Sequence, residues 1–202
     1  MRSEQASGDA ARDTGRVTDS GDRTRSAWNT DGGIHEIPLP SMARGRLWLC
    51  GKHAIGPDPD GLMDRVGADL VVCLTHEHEL AERYPDYVVW LRTQPPSRVL
   101  WYPIHDLHAP DLHEFAPLLT DLVERLLSGR GVIVHCAAGI GRAGTTAVAV
   151  LVSLAVPLDE ALVHVRRHRP MAGPEVGAQL DLVRTLHAGT RSGDGHGGRQ
   201  AR

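Results

Sequence analysis

Two short runs of the chain, DLVVCLT (Asp69 to Thr75) and GVIVHC (Gly131 to Cys136), carry apolar residues at consecutive rather than alternate positions. A strand with one wet face alternates. A strand apolar on both faces is covered on both, as in a parallel sheet sandwiched by helices. RLWLC (Arg46 to Cys50) reads as another strand and VLWYPI (Val99 to Ile104) as a further candidate, with helices between them.

Elsewhere the period changes. Leu112, Phe115, Leu119, Leu122 and Leu126 recur at spacings of three and four, the stripe of an amphipathic helix. Asp111 stands where a cap belongs, with Glu114 three residues on, and Gly129 can stop the helix. The segment 142–156, RAGTTAVAVLVSLAV, is apolar nearly all round and predicts a buried helix. LDEALVHVRRHR follows and stops at Pro170, and PEVGAQLDLVRTLHAG closes the pattern. Strands alternate with helices first, and helices come alone afterwards. This order predicts an α/β fold, a central, mainly parallel sheet flanked by helices. The loop after Cys136 then joins the last core strand to a buried helix.

Composition sets the limits of that domain. Residues 1–33 are dominated by Arg, Asp, Ser, Thr and Gly and cannot bury enough apolar surface to order themselves, and 189–202 look the same. The folded domain is expected over 34–188. A formal net charge of −3 makes no case for a nucleic-acid partner. No run approaches the roughly 18 apolar residues of a membrane span, so no membrane partner is expected. Three cysteines cannot all pair, and the N-terminus has no apolar signal core. A reducing, cytoplasmic setting is the expectation.

The loop VIVHCAAGIGRAGTT can be parsed in two ways. Gly139, Gly141 and Gly144 spell G-x-G-x-x-G, a dinucleotide-binding turn, which needs a second strand closed by an acid about 20 residues on. Asp159 and Glu160 stand near that distance, but they open a helix after Pro157 and no strand follows. Cys136 and Arg142 spell C-x-x-x-x-x-R instead. A thiol attacks phosphorus as thiolate, and both loop amides and the positive end of a following helix favour that form. The same amides would wrap a phosphate with Ala137, Ala138, Gly139, Ile140 and Gly141, while Arg142 offers a planar fork.

HCAAGIGRAGT closely resembles the signature loop of the cysteine-dependent protein tyrosine phosphatases, H-C-x-x-G-x-x-R, most of all in their dual-specificity and bacterial branches. YPIHDLHAPD is similar to the general-acid loop of that family, and RRHRPMAGPEVGAQLDLV to the helical segment after the signature. The resemblance implies Cys136 as nucleophile, Arg142 as the phosphate-binding arginine and Asp106 as general acid. It places Gln179 near the attacking water. It implies a phosphoprotein substrate, a cysteinyl-phosphate intermediate and no metal or cofactor. Family members acting on phosphoinositides often carry lysines in the loop, and this loop has none, which points to phosphotyrosine, with or without phosphoserine and phosphothreonine. The chain departs from the family at Ala143, where a Ser or Thr usually hydrogen-bonds the cysteine sulfur. Slow breakdown of the phosphoenzyme is one consequence. A phosphoprotein-binding module with little turnover is the alternative.

Other residues have plainer roles. Asp111 is the rival acid, but its place suits a helix cap. Cys50 and Cys73 sit inside apolar strands and read as core. His135 is expected to orient the loop. His76, His78, His105 and His108 form no metal motif; THEHEL is not H-E-x-x-H. His164 and His168, among Arg166, Arg167 and Arg169, read as a solvated basic face.

Overall fold

A computed structural model describes residues 33–193. Five strands form one sheet in the order β1-β2-β5-β3-β4, built from β1 (Ile34–Ile37), β2 (Arg46–Gly51), β3 (Leu70–Cys73), β4 (Val99–Trp101) and β5 (Gly131–Cys136). All pairs are parallel except β1 with β2. The helices are α1 (Lys52–Ile55), α2 (Pro59–Val66), α3 (His78–Ala81), α4 (Pro85–Thr93), α5 (Leu112–Leu127), α6 (Gly141–Ser153), α7 (Leu158–His168) and α8 (Gly177–Gly193).

The continuous apolar runs are the inner strands. β5 lies between β2 and β3, and every residue from Gly131 to Cys136 is buried. Alternation along the strands divides the core in two. Leu47, Leu49, Leu70, Val72, Val132 and Val134 pack on α5 to α8. Trp48, Cys50, Val71, Cys73 and Ile133 pack on Ile55, Leu62, Leu80, Tyr87 and Leu91 of α1 to α4. Burial pushes both the Cys50 and Cys73 thiols up to about 12, as expected of core cysteines. Cys136 belongs to the opposite layer.

α6 is buried from Gly141 to Val152, as its uniformly apolar sequence predicts. Asp111 caps α5, its carboxylate accepting the His113 N–H at 2.8 Å. β1, an antiparallel edge strand, was not legible as a strand, because IHEI is short and only Ile37 is buried. VLWYPI leaves strand geometry after Trp101, although Tyr102 and Ile104 still donate to the carbonyls of Cys73 and Leu74. The expected unstructured tails lie outside the described residues at 1–32 and 194–202. α8 itself continues to Gly193, past residue 188. None of the described helices is long and apolar enough to cross a membrane.

Candidate active site

β5 delivers Cys136 at its carboxyl end, 3% exposed, and the chain turns through residues 137–140 into α6. The loop is tied from behind through its carbonyls. Ala137 O accepts the Lys52 N–H at 3.0 Å, and Arg169 donates to Ala138 O at 2.8 Å and to Gly139 O at 2.6 Å. In a planar trans peptide the N–H opposes the C=O. Three carbonyls pulled backward therefore turn the amides of Ala138, Gly139 and Ile140 forward. The Gly139 N–H donates to Cys136 Sγ at 3.2 Å. Such a row of amides is an anion-binding concavity. Gly139 is required twice over: its φ is 72°, and a Cβ there would collide with the Cys50 carbonyl.

Arg169 corrects an expectation. Arg166 and Arg167 are exposed, but Arg169 is 4% exposed, drawn inward by the loop carbonyls and by His35, with its Nη1 2.6 Å from His35 Nδ1. Nothing in RRHRP distinguishes the buried arginine from its exposed neighbours, since its partners lie about 30 and 130 residues away in sequence.

Arg142 is 2% exposed at the first turn of α6. Its Nη1 and Nη2 donate to the two carboxylate oxygens of Glu79, each at 2.8 Å, and Nη1 also donates to Ile104 O at 2.8 Å. Burial opposes charge on Glu79, but the bonds from Arg142 and from the His76 N–H outweigh it and hold this carboxyl below its ordinary value. The sequence marks Arg142 but not Glu79, which sits inside THEHEL, where no local pattern ties it to an arginine 63 residues on. Arg142 Nε is buried and has no partner among the described residues. The edge of the guanidinium formed by Nε and Nη2 is the one left for a phosphate.

Asp106 Oδ1 lies 3.2 Å from Arg142 Nη2, and its side chain is 68% exposed. The turn that carries it is braced. The His108 N–H donates to His105 O at 3.1 Å, Leu107 holds a φ of 58°, and Gln179 Nε2 donates to His108 O at 3.2 Å. A leucine in that region stores strain of roughly 1–3 kcal/mol, which the surrounding contacts must offset. Of the two candidate acids, Asp106 faces the arginine and Asp111 caps a helix.

Gln179 is 1% exposed, and its carbonyl accepts the Glu175 N–H at 2.9 Å and the Thr145 hydroxyl at 3.3 Å. It links the Asp106 turn to α6 and α8. Glu175 lies closer to the loop: a Cβ on Gly141 would collide with its carboxylate. Ala143 is fully buried. Thr145 turns its hydroxyl to Gln179, and Thr146 turns its own to Arg142 O at 3.0 Å, so neither replaces the missing hydroxyl at the sulfur. His135 is also fully buried, with Nε2 2.7 Å from the Tyr87 hydroxyl. Burial lowers its pKa to about 4, so it orients the strand end as a neutral ring.

The site has known counterparts. A family model described as "Swiss Army Knife protein, DSP-PTPase phosphatase domain" matches residues 41–193. Human dual specificity protein phosphatase 16 is 32% identical over 107 residues, which are 50% of this chain and 15% of that protein. The chain thus spans a small part of that relative's length. The crystal structure of Tk-PTP in the active form has 28% identity and a TM-score of 0.59, covering 76% of this chain and 97% of that one. Kinase associated phosphatase, with its catalytic cysteine replaced by serine, has 20% identity and a TM-score of 0.63, covering 81% and 96%, a likeness of fold.

Proposed function

The chain belongs to the DSP-PTPase phosphatase family of Swiss Army Knife proteins, and from that premise we propose that it hydrolyses phosphotyrosine in protein substrates, with phosphoserine and phosphothreonine as the wider set, through a cysteinyl-phosphate. The phosphate would sit on the amides of Ala138, Gly139 and Ile140 and on the Nε edge of Arg142, displacing Asp106 from Nη2. The Cys136 thiolate forms the S–P bond as the P–O bond to the leaving group breaks. The electron pair goes to the leaving oxygen, which takes a proton from Asp106. Water then attacks phosphorus and gives a proton to Asp106, and the S–P bond breaks to return the thiolate.

The observation that carries this reading is the pairing, at one loop, of a sulfur that accepts the Gly139 N–H with a buried arginine whose Nε is without a partner among the described residues. The absence of lysine from the loop supports a phosphoprotein over a phosphoinositide. The buried Ala143 and the diverted Thr145 hydroxyl favour a slow second step, the feature shared with the binding-module alternative.

Cys136→Ser tests the mechanism. Aryl phosphate hydrolysis should be abolished while phosphate-ester binding persists. Mass spectrometry of acid-quenched wild type should find phosphate on Cys136. Unchanged turnover in the serine variant would overturn the mechanism.

A further inference from the structure

Four imidazoles line the rim of the same site, and no step above uses them. The His76 ring stacks on His105, centroids 4.2 Å apart at 29°, and on His78, 5.5 Å apart at 22°. His105 meets His108 nearly edge-on at 5.9 Å. The row brackets the machinery: His105 precedes Asp106, His108 Nδ1 is 2.7 Å from Asp106 O, and the backbone N–H of His76 donates to Glu79 Oε1 at 2.9 Å. His78, His105 and His108 are exposed. His76 is half-buried, and its Nε2 is buried without a hydrogen-bond partner among the described residues. Among those residues no three His, Cys, Asp or Glu could hold a metal ion.

Resting on the phosphatase reading, we propose that His78, His76, His105 and His108 form an anion-accepting subsite for a negatively charged side chain beside the phosphorylated residue of the substrate, a carboxylate or a second phosphate. Imidazole edges present N–H donors, and a neutral ring gains a proton at small cost near neutral pH. Rings stacked this closely resist being charged together, and burial with the neighbouring His105 and His78 lowers the His76 pKa. A bound anion reverses that balance. The charged groups around the row are already engaged. Glu79 is held by Arg142, Glu77 pairs with Arg92, and Lys52 Nζ donates to Glu79 O at 2.6 Å. Asp106 turns to Arg142, and in the mechanism proposed above it is the proton donor to the leaving oxygen. An incoming anion therefore meets imidazoles rather than an open carboxylate. At two residues' separation along an extended peptide, the second group lies about 7 Å from the first.

The linkage has a definite sign. If an anion binds the protonated rings more tightly than the neutral ones, affinity for an acidic substrate rises as pH falls, by up to about tenfold per pH unit for each proton taken up. The test uses the full chain and three peptides with the same phosphotyrosine, flanked by alanine, by glutamate or by phosphoserine. The ratio of kcat/KM for each acidic peptide to that for the alanine peptide, followed from pH 8 to 5.5, cancels the pH dependence that all three peptides share. It should climb as pH falls and flatten in a His78→Asn/His105→Asn variant, and in His108→Asn to a lesser degree. A climb with glutamate identifies carboxylate as an occupant, and a climb with phosphoserine alone identifies the second phosphate. Calorimetry with the Cys136→Ser protein, in two buffers of different ionisation enthalpy, should find greater net proton uptake with the acidic peptides than with the alanine peptide. A ratio independent of pH in the wild type, or unchanged in the variants, overturns the subsite. If no peptide is hydrolysed at all, the phosphatase reading fails, and the calorimetry still decides whether the row takes up an anion.

Discussion

Arg142 and Glu79 form a two-pronged ion pair inside the protein, with both N–O distances 2.8 Å and the arginine side chain 1% exposed. The pair fixes the plane of the guanidinium, which leaves Nε directed away from Glu79 and unpartnered among the described residues. α3, a helix of one turn, supplies the carboxylate, and α6 supplies the arginine.

Glu79→Gln should therefore act on both stability and catalysis. Removing one charge of a buried pair costs on the order of 3–5 kcal/mol. Urea denaturation should show a loss of that order, and kcat/KM for an aryl phosphate should fall mainly through a higher KM. An unaltered KM would show that Arg142 is oriented by its bonds to Ile104 O and, at 3.4 Å, to Leu74 O.

Asp106→Asn and Asp111→Asn separate the two acids. If Asp106 protonates the leaving oxygen, its amide variant should slow poor leaving groups most, by on the order of 10²-fold or more. Asp111→Asn keeps a capping residue and should leave the leaving-group dependence in place. The measurement is a plot of log kcat/KM against leaving-group pKa for each protein.

Ala143→Ser should restore a hydroxyl beside the sulfur. Attack needs only a thiolate, but breakdown needs the sulfur to depart with growing negative charge. A hydrogen bond to a charged group is worth roughly 1.5–3 kcal/mol, about 10- to 160-fold in rate if felt fully in the transition state. Wild type should show a pre-steady-state burst near one equivalent of product, and the serine variant a higher kcat with little change in burst rate. A linear wild-type progress curve with no gain from serine would show that this site has dispensed with the hydroxyl.

His135 should make stability depend on pH. Burial depresses its pKa to about 4 in the fold, against about 6.5 unfolded. Between those values the unfolded chain binds more protons, so stability is full above about pH 6.5 and falls as pH drops toward 4, by up to about 3 kcal/mol. Urea midpoints at pH 7.5, 6, 5 and 4.5 should trace this fall. His135→Gln should lower stability at pH 7.5 and lose this part of the slope.

The sequence by itself determined the inner strands β3 and β5, the buried α6 and the amphipathic α5, because each is written in local periodicity. It also determined the loop, since Cys136, Arg142 and the glycines between them are contiguous and their spacing carries the chemistry. Asp106 was legible only through the resemblance of YPIHDLHAPD to a known loop, and Asp111 through its capping position. The tertiary structure alone decided that Glu79 orients Arg142, that Arg169 ties the loop from behind, and that Gln179 spans the Asp106 turn, Thr145 and Glu175. It also brought His76, itself stacked on His78, against His105. Apart from Glu175, four residues from Gln179, these partners lie 29 to 71 residues apart or sit among look-alike neighbours, so no local pattern marks them. What selects them is the crossing of the strands, which sets β2, β3 and β5 side by side and gathers their carboxyl-end loops around one sulfur.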